Sequence, residues 1–121
     1  MTSRSLVVKV TVGKDDAERC NQALTVAATA VASGVQVSLW LTGEASWFAL
    51  PDGCPDLGLP HATALPDLLA SILRAGTVTL CTQCAARRDI TEADVVEGVR
   101  IAGAATFVAE ILADGAQALV Y

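Results

Sequence analysis

The first forty-odd residues alternate between two apolar periodicities, and this restricts the fold more than any other feature of the chain. Residues 6–12 are valine-rich and stop at Gly13, which predicts a buried strand and a turn. Ala17, Cys20, Leu24, Ala27 and Val31 then recur at helical spacing, opened by Asp15 and Glu18 as an aspartate variant of the capping box and closed by Gly34. This phase puts Cys20 inside and Asp16 outside. Residues 35–41 form a second β-inclined run that ends at Gly43. The segment is a βαβ unit.

Residues 44–50 predict a short helix, and residues 51–60, with three prolines, two glycines and two aspartates, predict a loop. Leu65, Leu68, Leu69, Ile72 and Leu73 make a helical face, with Pro66 in the first turn and Gly76 at the end. Residues 77–81 then form a short strand whose carboxyl end delivers Cys81. Thr91 with Asp94 predicts another short helical turn, and residues 99–101 an extended piece. Ala104, Phe107, Val108, Ile111 and Leu112 mark a last helix ended by Gly115, and residues 118–121 a final strand. No repeat or linker divides the chain, so residues 1–121 form one domain, long enough to bury roughly two-thirds of its unfolded surface. Strands alternating with helices at this length predict an α/β sandwich: a parallel sheet with helices on both faces and right-handed crossovers.

Charged residues make up only 17% of the chain against 53% hydrophobic ones, where an ordinary domain carries about 25% charged. An undercharged surface is expected to be covered by further subunits. The net charge is -5, and no basic cluster exceeds the pair Arg87 and Arg88, so nucleic acid is not an expected partner. No window is long and apolar enough to span a membrane, and Thr2, Ser3, Arg4 and Ser5 lead into a run too short for a signal peptide. A cytoplasmic location follows as the expectation, and the four cysteines are then expected as thiols rather than structural disulfides.

Working residues of an open parallel sheet gather at the carboxyl ends of its strands, where Cys81 is expected. A thiol there is partly exposed, near backbone amides and close to Arg87 and Arg88, which favours the nucleophilic thiolate. The bland alternative is a small buried apolar residue. Cys84 makes a CxxC with Cys81, a spacing shared by redox dithiols and by half of a zinc site; it is either a second, resolving thiol or a packing residue. Arg87 and Arg88 either stabilise an anionic sulfur or are solvated turn residues. Cys20 belongs to the apolar stripe of the first helix and is expected in the core. Cys54 and His61 would complete a zinc set with Cys81 and Cys84, but nothing in the spacing holds them together, and no metal is expected. Serine-hydrolase and P-loop motifs are absent from the sequence.

Lys9 through Gly13, Leu41 through Glu44, Leu80-Cys81, Ala86-Arg87-Arg88 and Glu97-Gly98-Val99 together resemble the DsrE/DsrF-like (TusD/YchN-type) sulfur-relay family over nearly the whole chain. The resemblance implies a five-stranded parallel flavodoxin-like or DsrE-like fold, assembly into homotrimers or hexamers, and a cysteine that carries persulfide sulfur. It places Cys81 on the family's sulfur-accepting cysteine. The chain departs from the TusD-type segment in having a second thiol at Cys84 and Asp89 where that segment has glycine. The first functional expectation is therefore a sulfurtransferase in which Cys81 takes sulfur from a donor protein and passes it to an acceptor, without cofactor. The alternatives are a non-catalytic oligomeric binding or redox-sensing module whose CxxC holds a metal or forms a disulfide, and a dithiol reductase.

Overall fold

A computed structural model describes residues 4–121; the leading Thr2 and Ser3 lie outside the described residues. The chain forms strands β1 (Ser5–Val10), β2 (Gln36–Leu41), β3 (Thr77–Cys81), β4 (Val99–Ala102) and β5 (Ala116–Val120), with helices α1 (Ala17–Ala32), α2 (Leu65–Ala75), α3 (Thr82–Arg87) and α4 (Ala104–Ile111) between them. The five strands lie in the order β4-β3-β2-β1-β5, and every neighbouring pair is parallel. The chain steps from β1 to β4 in one direction and then returns past β1 to β5. Crossovers of one hand must then place the returning helix on the opposite face.

The two faces of the sheet differ in chemistry. Val8, Val10, Leu39, Leu41, Val78 and Leu80 point to one face and join Cys20, Ala23, Leu24 and Ala27 of α1 and Leu65, Leu68, Leu69 and Ile72 of α2 in a continuous core. Each fully buried leucine or isoleucine there contributes about 1.5–3 kcal/mol of transfer free energy. The other face carries Lys9, Ser38, Trp40, Thr79, Arg100 and Cys81, in register across the strands, beneath α4. Phe107 of α4 meets Trp40 edge-on, with ring centroids 5.3 Å apart. Glu110 accepts hydrogen bonds from Ser38 Oγ at 2.6 Å and Trp40 Nε1 at 3.0 Å, and also pairs with Arg100. Here the polar layer is satisfied by its own residues.

Local chemistry accounts for the boundaries, with two corrections to the sequence reading. The cap of α1 is Asp16, whose carboxylate accepts from the Arg19 amide at 3.3 Å. Asp15 turns back instead and accepts from the Gly13 amide at 2.7 Å, so the expected pairing of Asp15 with Glu18 does not form. The Asp16 side chain is 41% exposed, on the outer side that the helical phase gives it. Thr91 and Asp94 do bond, the carboxylate accepting from the Thr91 amide at 2.8 Å and its hydroxyl at 3.0 Å, but they close a turn and not a helix. Cys20 is buried as expected, and residues 51–60 are loop. Among the described residues, no helix is long and apolar enough to cross a membrane.

Candidate functional site

The crevice at the carboxyl ends of β1 and β5, where the strand order reverses, is the usual ligand site of such sheets. Here the β1-β5 ladder runs on past the strand ends: the Thr11 amide and hydroxyl both donate to the Tyr121 carbonyl, at 2.9 and 2.7 Å. The reactive groups gather instead at the ends of β2 and β3, which are adjacent in the sheet. β2 runs through Thr42, whose amide and hydroxyl donate to the Val10 carbonyl at 3.0 and 2.8 Å, into a 3-10 helix, Gly43–Ala49. Gly43 takes φ +53, and a Cβ there would run into the Thr11 carbonyl oxygen, so only glycine fits this approach. Its amide is thereby turned toward α3.

β3 ends at Cys81, which is extended (φ -62, ψ 129) and precedes the first turn of α3. Cys84 is three residues on, and the i, i+3 relation puts both thiols on one side of that turn. Cys81 is half-buried, whereas Cys84 is 9% exposed. The Gly43 amide donates to Cys84 Sγ at 3.4 Å. Burial pushes the Cys84 thiol up, but the Gly43 amide, the Cys81 thiol, the Arg88 charge and the Ser46 hydroxyl outweigh it and hold Cys84 below the usual thiol range. Of these, only Gly43 meets full hydrogen-bond geometry at the sulfur; Ser46 and Cys81 act from looser contact. Ser46 is 0% exposed, and among the described residues its Oγ is the one buried side-chain oxygen or nitrogen without a hydrogen-bond partner.

The two arginines separate. Arg88 donates from Nη1 to the Cys84 carbonyl at 3.2 Å and from Nη2 to Glu44 Oε2 at 2.9 Å, and its guanidinium lies 6.0 Å from the Trp47 ring centroid. Trp47 Nε1 donates to the same Glu44 oxygen at 3.3 Å. Arg87 is exposed and reaches Gln83 Oε1 at 3.4 Å. Asp89, after the helix end, has φ 54, the left-handed conformation in which glycine is at ease, and the Ile90 amide returns to the Ala85 carbonyl at 2.9 Å.

All four cysteines are free. Cys20 sits in the core, its thiol pushed up to about 12 by burial and by nearby Cys54, Asp15 and Asp16. Burial likewise pushes Cys54 up to about 11. Cys54 packs against the core that holds Cys20, and His61 is exposed. Among the described residues, no three metal-binding side chains come together. A cleft of about 370 Å³ lies at the opposite, amino-terminal edge of the sheet, between Ser5, Gln36, Thr77, Arg100 and Glu110. Its Arg100 and Glu110 are already paired with each other.

An all-parallel five-strand sheet with a strand-end dithiol and one thiol favoured as thiolate defines a single-domain α/β thiol protein. The chain belongs to the DsrE/DsrF-like family, whose family model matches residues 4–121. Its fold is similar to that of the ychN protein from E. coli, with 18% identity, a TM-score of 0.80, and coverage of 98% of this chain and 99% of that one. It is also similar to MTH1491 from Methanobacterium thermoautotrophicum, a protein of unknown function, with 10% identity, a TM-score of 0.71, and coverage of 99% and 100%. No curated protein matches the sequence.

Gly43, Glu44, Ser46 and Trp47 are the participants that motif reasoning does not find. The signal available for them is the glycine at the end of β2, which becomes informative once β2 and β3 are known to be neighbours.

Proposed function

We propose that this chain is a sulfur-relay protein that accepts sulfane sulfur and passes it on through the Cys81-Cys84 pair. The observation that carries this reading is the Cys84 sulfur, bonded by the Gly43 amide and favoured as thiolate, one helical turn from a more exposed thiol. Family membership supports it. Cys81, the exposed member, meets the donor protein: its thiolate attacks the outer sulfur of a donor persulfide, a Cys81-sulfur bond forms, and the donor's sulfur-sulfur bond breaks. The donor cysteine leaves as thiolate, so the step is redox-neutral and uses no cofactor. Arg88 supplies positive charge to the site, while Arg87, on the solvent side, is free to meet an anionic group on a partner.

The reducing cytoplasm is the compartment in which such thiols persist. A homo-oligomer, trimer or hexamer, fits the apolar surface left on α4 and β5, where Leu112 is 76% and Val120 64% exposed together with Val108 and Leu119. Incubation with a cysteine desulfurase and cysteine, followed by intact mass, tests the relay. A gain of one sulfur, reversed by reductant, is expected. Loss of two hydrogens without any gain of sulfur assigns the pair to redox sensing through a disulfide instead.

A further inference from the structure

We propose that the sulfane sulfur taken up at Cys81 moves on to Cys84 and is stored there, with Ser46 as the residue that positions it. This rests on the relay reading and specifies which sulfur holds the cargo. Three observations lead to it. Cys84 is 9% exposed while Cys81 is half-buried, so a persulfide on Cys84 is shielded from stray thiols that would strip one on Cys81. The Gly43 amide is fixed on the Cys84 sulfur by a backbone conformation that tolerates no side chain. Finally, the Ser46 hydroxyl is fully buried and reaches the Cys84 sulfur only in loose contact, short of a full hydrogen bond.

A buried hydroxyl without a partner is costly, and native proteins rarely keep one without a use. A second sulfur on Cys84 would extend the acceptor and give that hydroxyl a closer anionic partner. The transfer balances without a co-reactant. The Cys84 thiolate attacks the outer sulfur of the Cys81 persulfide, a Cys84-sulfur bond forms, and the Cys81-sulfur bond breaks. Its electron pair stays on Cys81, which is left as thiolate, ready for the next donor.

The test loads wild-type protein with a cysteine desulfurase and cysteine, alkylates at once to fix the sulfur in place, and locates the added atom by peptide fragmentation. Ser46→Ala and Ser46→Thr are carried in parallel through a chase with free thiol. The added sulfur is expected on Cys84. The sulfur that Ser46→Ala takes up should be lost about ten-fold faster than from wild type, the effect of one hydrogen bond to an anion, and Ser46→Thr should restore retention. Sulfur found on Cys81 alone, or equal retention in Ser46→Ala and wild type, overturns the storage role and leaves the relay standing. No loading on either cysteine overturns the relay itself. Localisation in the wild type decides the proposal even if a Ser46 variant fails to fold.

Discussion

The Gly43 amide donates to the Cys84 sulfur at 3.4 Å across 41 positions of sequence, joining the end of β2 to the first turn of α3. Gly43→Ala should therefore damage both fold and site. The new Cβ meets the Thr11 carbonyl, and alanine is strained at φ +53. A stability loss of about 1–3 kcal/mol by chemical denaturation is expected, with slower alkylation of Cys84 near neutral pH. Wild-type stability in this variant would show that the backbone relaxes without cost.

Cys84 is held below the usual thiol range, so its charged form is favoured by folding. The stability from this group is present above the ordinary thiol pKa and is lost as pH falls through the lowered folded value. In Cys81→Ser, where only one site thiol remains, the alkylation rate of Cys84 should rise with pH at a midpoint below that of a free cysteine. Adding Arg88→Ala should move the midpoint up, since a positive charge is removed. A midpoint unmoved by Arg88→Ala would remove the arginine from the site chemistry.

Glu110 behaves as the corresponding acid on the opposite face of the sheet. Burial pushes its pKa up, but hydrogen bonds from Ser38, Trp40 and Arg100 and the Arg100 charge outweigh that and hold it below the usual carboxylate range. Its contribution is complete above the ordinary glutamate pKa and disappears as pH falls through the lowered one. Glu110→Gln should thus be less stable than wild type at neutral pH, with a shallower loss of stability on acidification. Parallel acid-unfolding curves for the two proteins would contradict this.

Cys20 and Cys54, both pushed well above the usual thiol range, should resist alkylation at neutral pH while the protein is folded and react once it is denatured. Cys20→Ser places a hydroxyl in the apolar core between α1 and the sheet and should cost about 1–3 kcal/mol, measured by thermal or chemical unfolding. Sulfur loading at the site should be unaffected under conditions where this variant is folded.

The exposed apolar surface of α4 and β5 makes the oligomer testable. Leu112→Asp with Val120→Lys should reduce the molar mass seen by light scattering to that of a smaller assembly, while circular dichroism keeps its native shape. A monomeric wild type at micromolar concentration would withdraw the oligomer altogether.

The chain sequence by itself determined most of the elements, the short helix α3 after Cys81 excepted. Valine-rich runs that end at glycine cannot bury their apolar side chains except as strands, and leucines at helical spacing specify α2 without help from the rest of the fold. Its CxxC also marked Cys81 and Cys84 as thiols to watch, and the core position of Cys20 followed from helical phase. Capping was less legible: Asp15 and Asp16 are both able to cap, and the backbone path after Gly13 chose the second. The order of strands was decided only by tertiary packing, because a βαβ repeat fixes parallel direction but not which strand lies beside which. That order brings the end of β2 against the end of β3. It sets the Gly43 amide and the Ser46 hydroxyl around Cys84, and it turns Arg88 toward the site while Arg87, one residue earlier on the helix, faces solvent. Local sequence can supply a thiol with Cys81 and Arg88 nearby, but the Gly43 amide and the Ser46 hydroxyl come from some forty positions away, and only the folded sheet sets their distance.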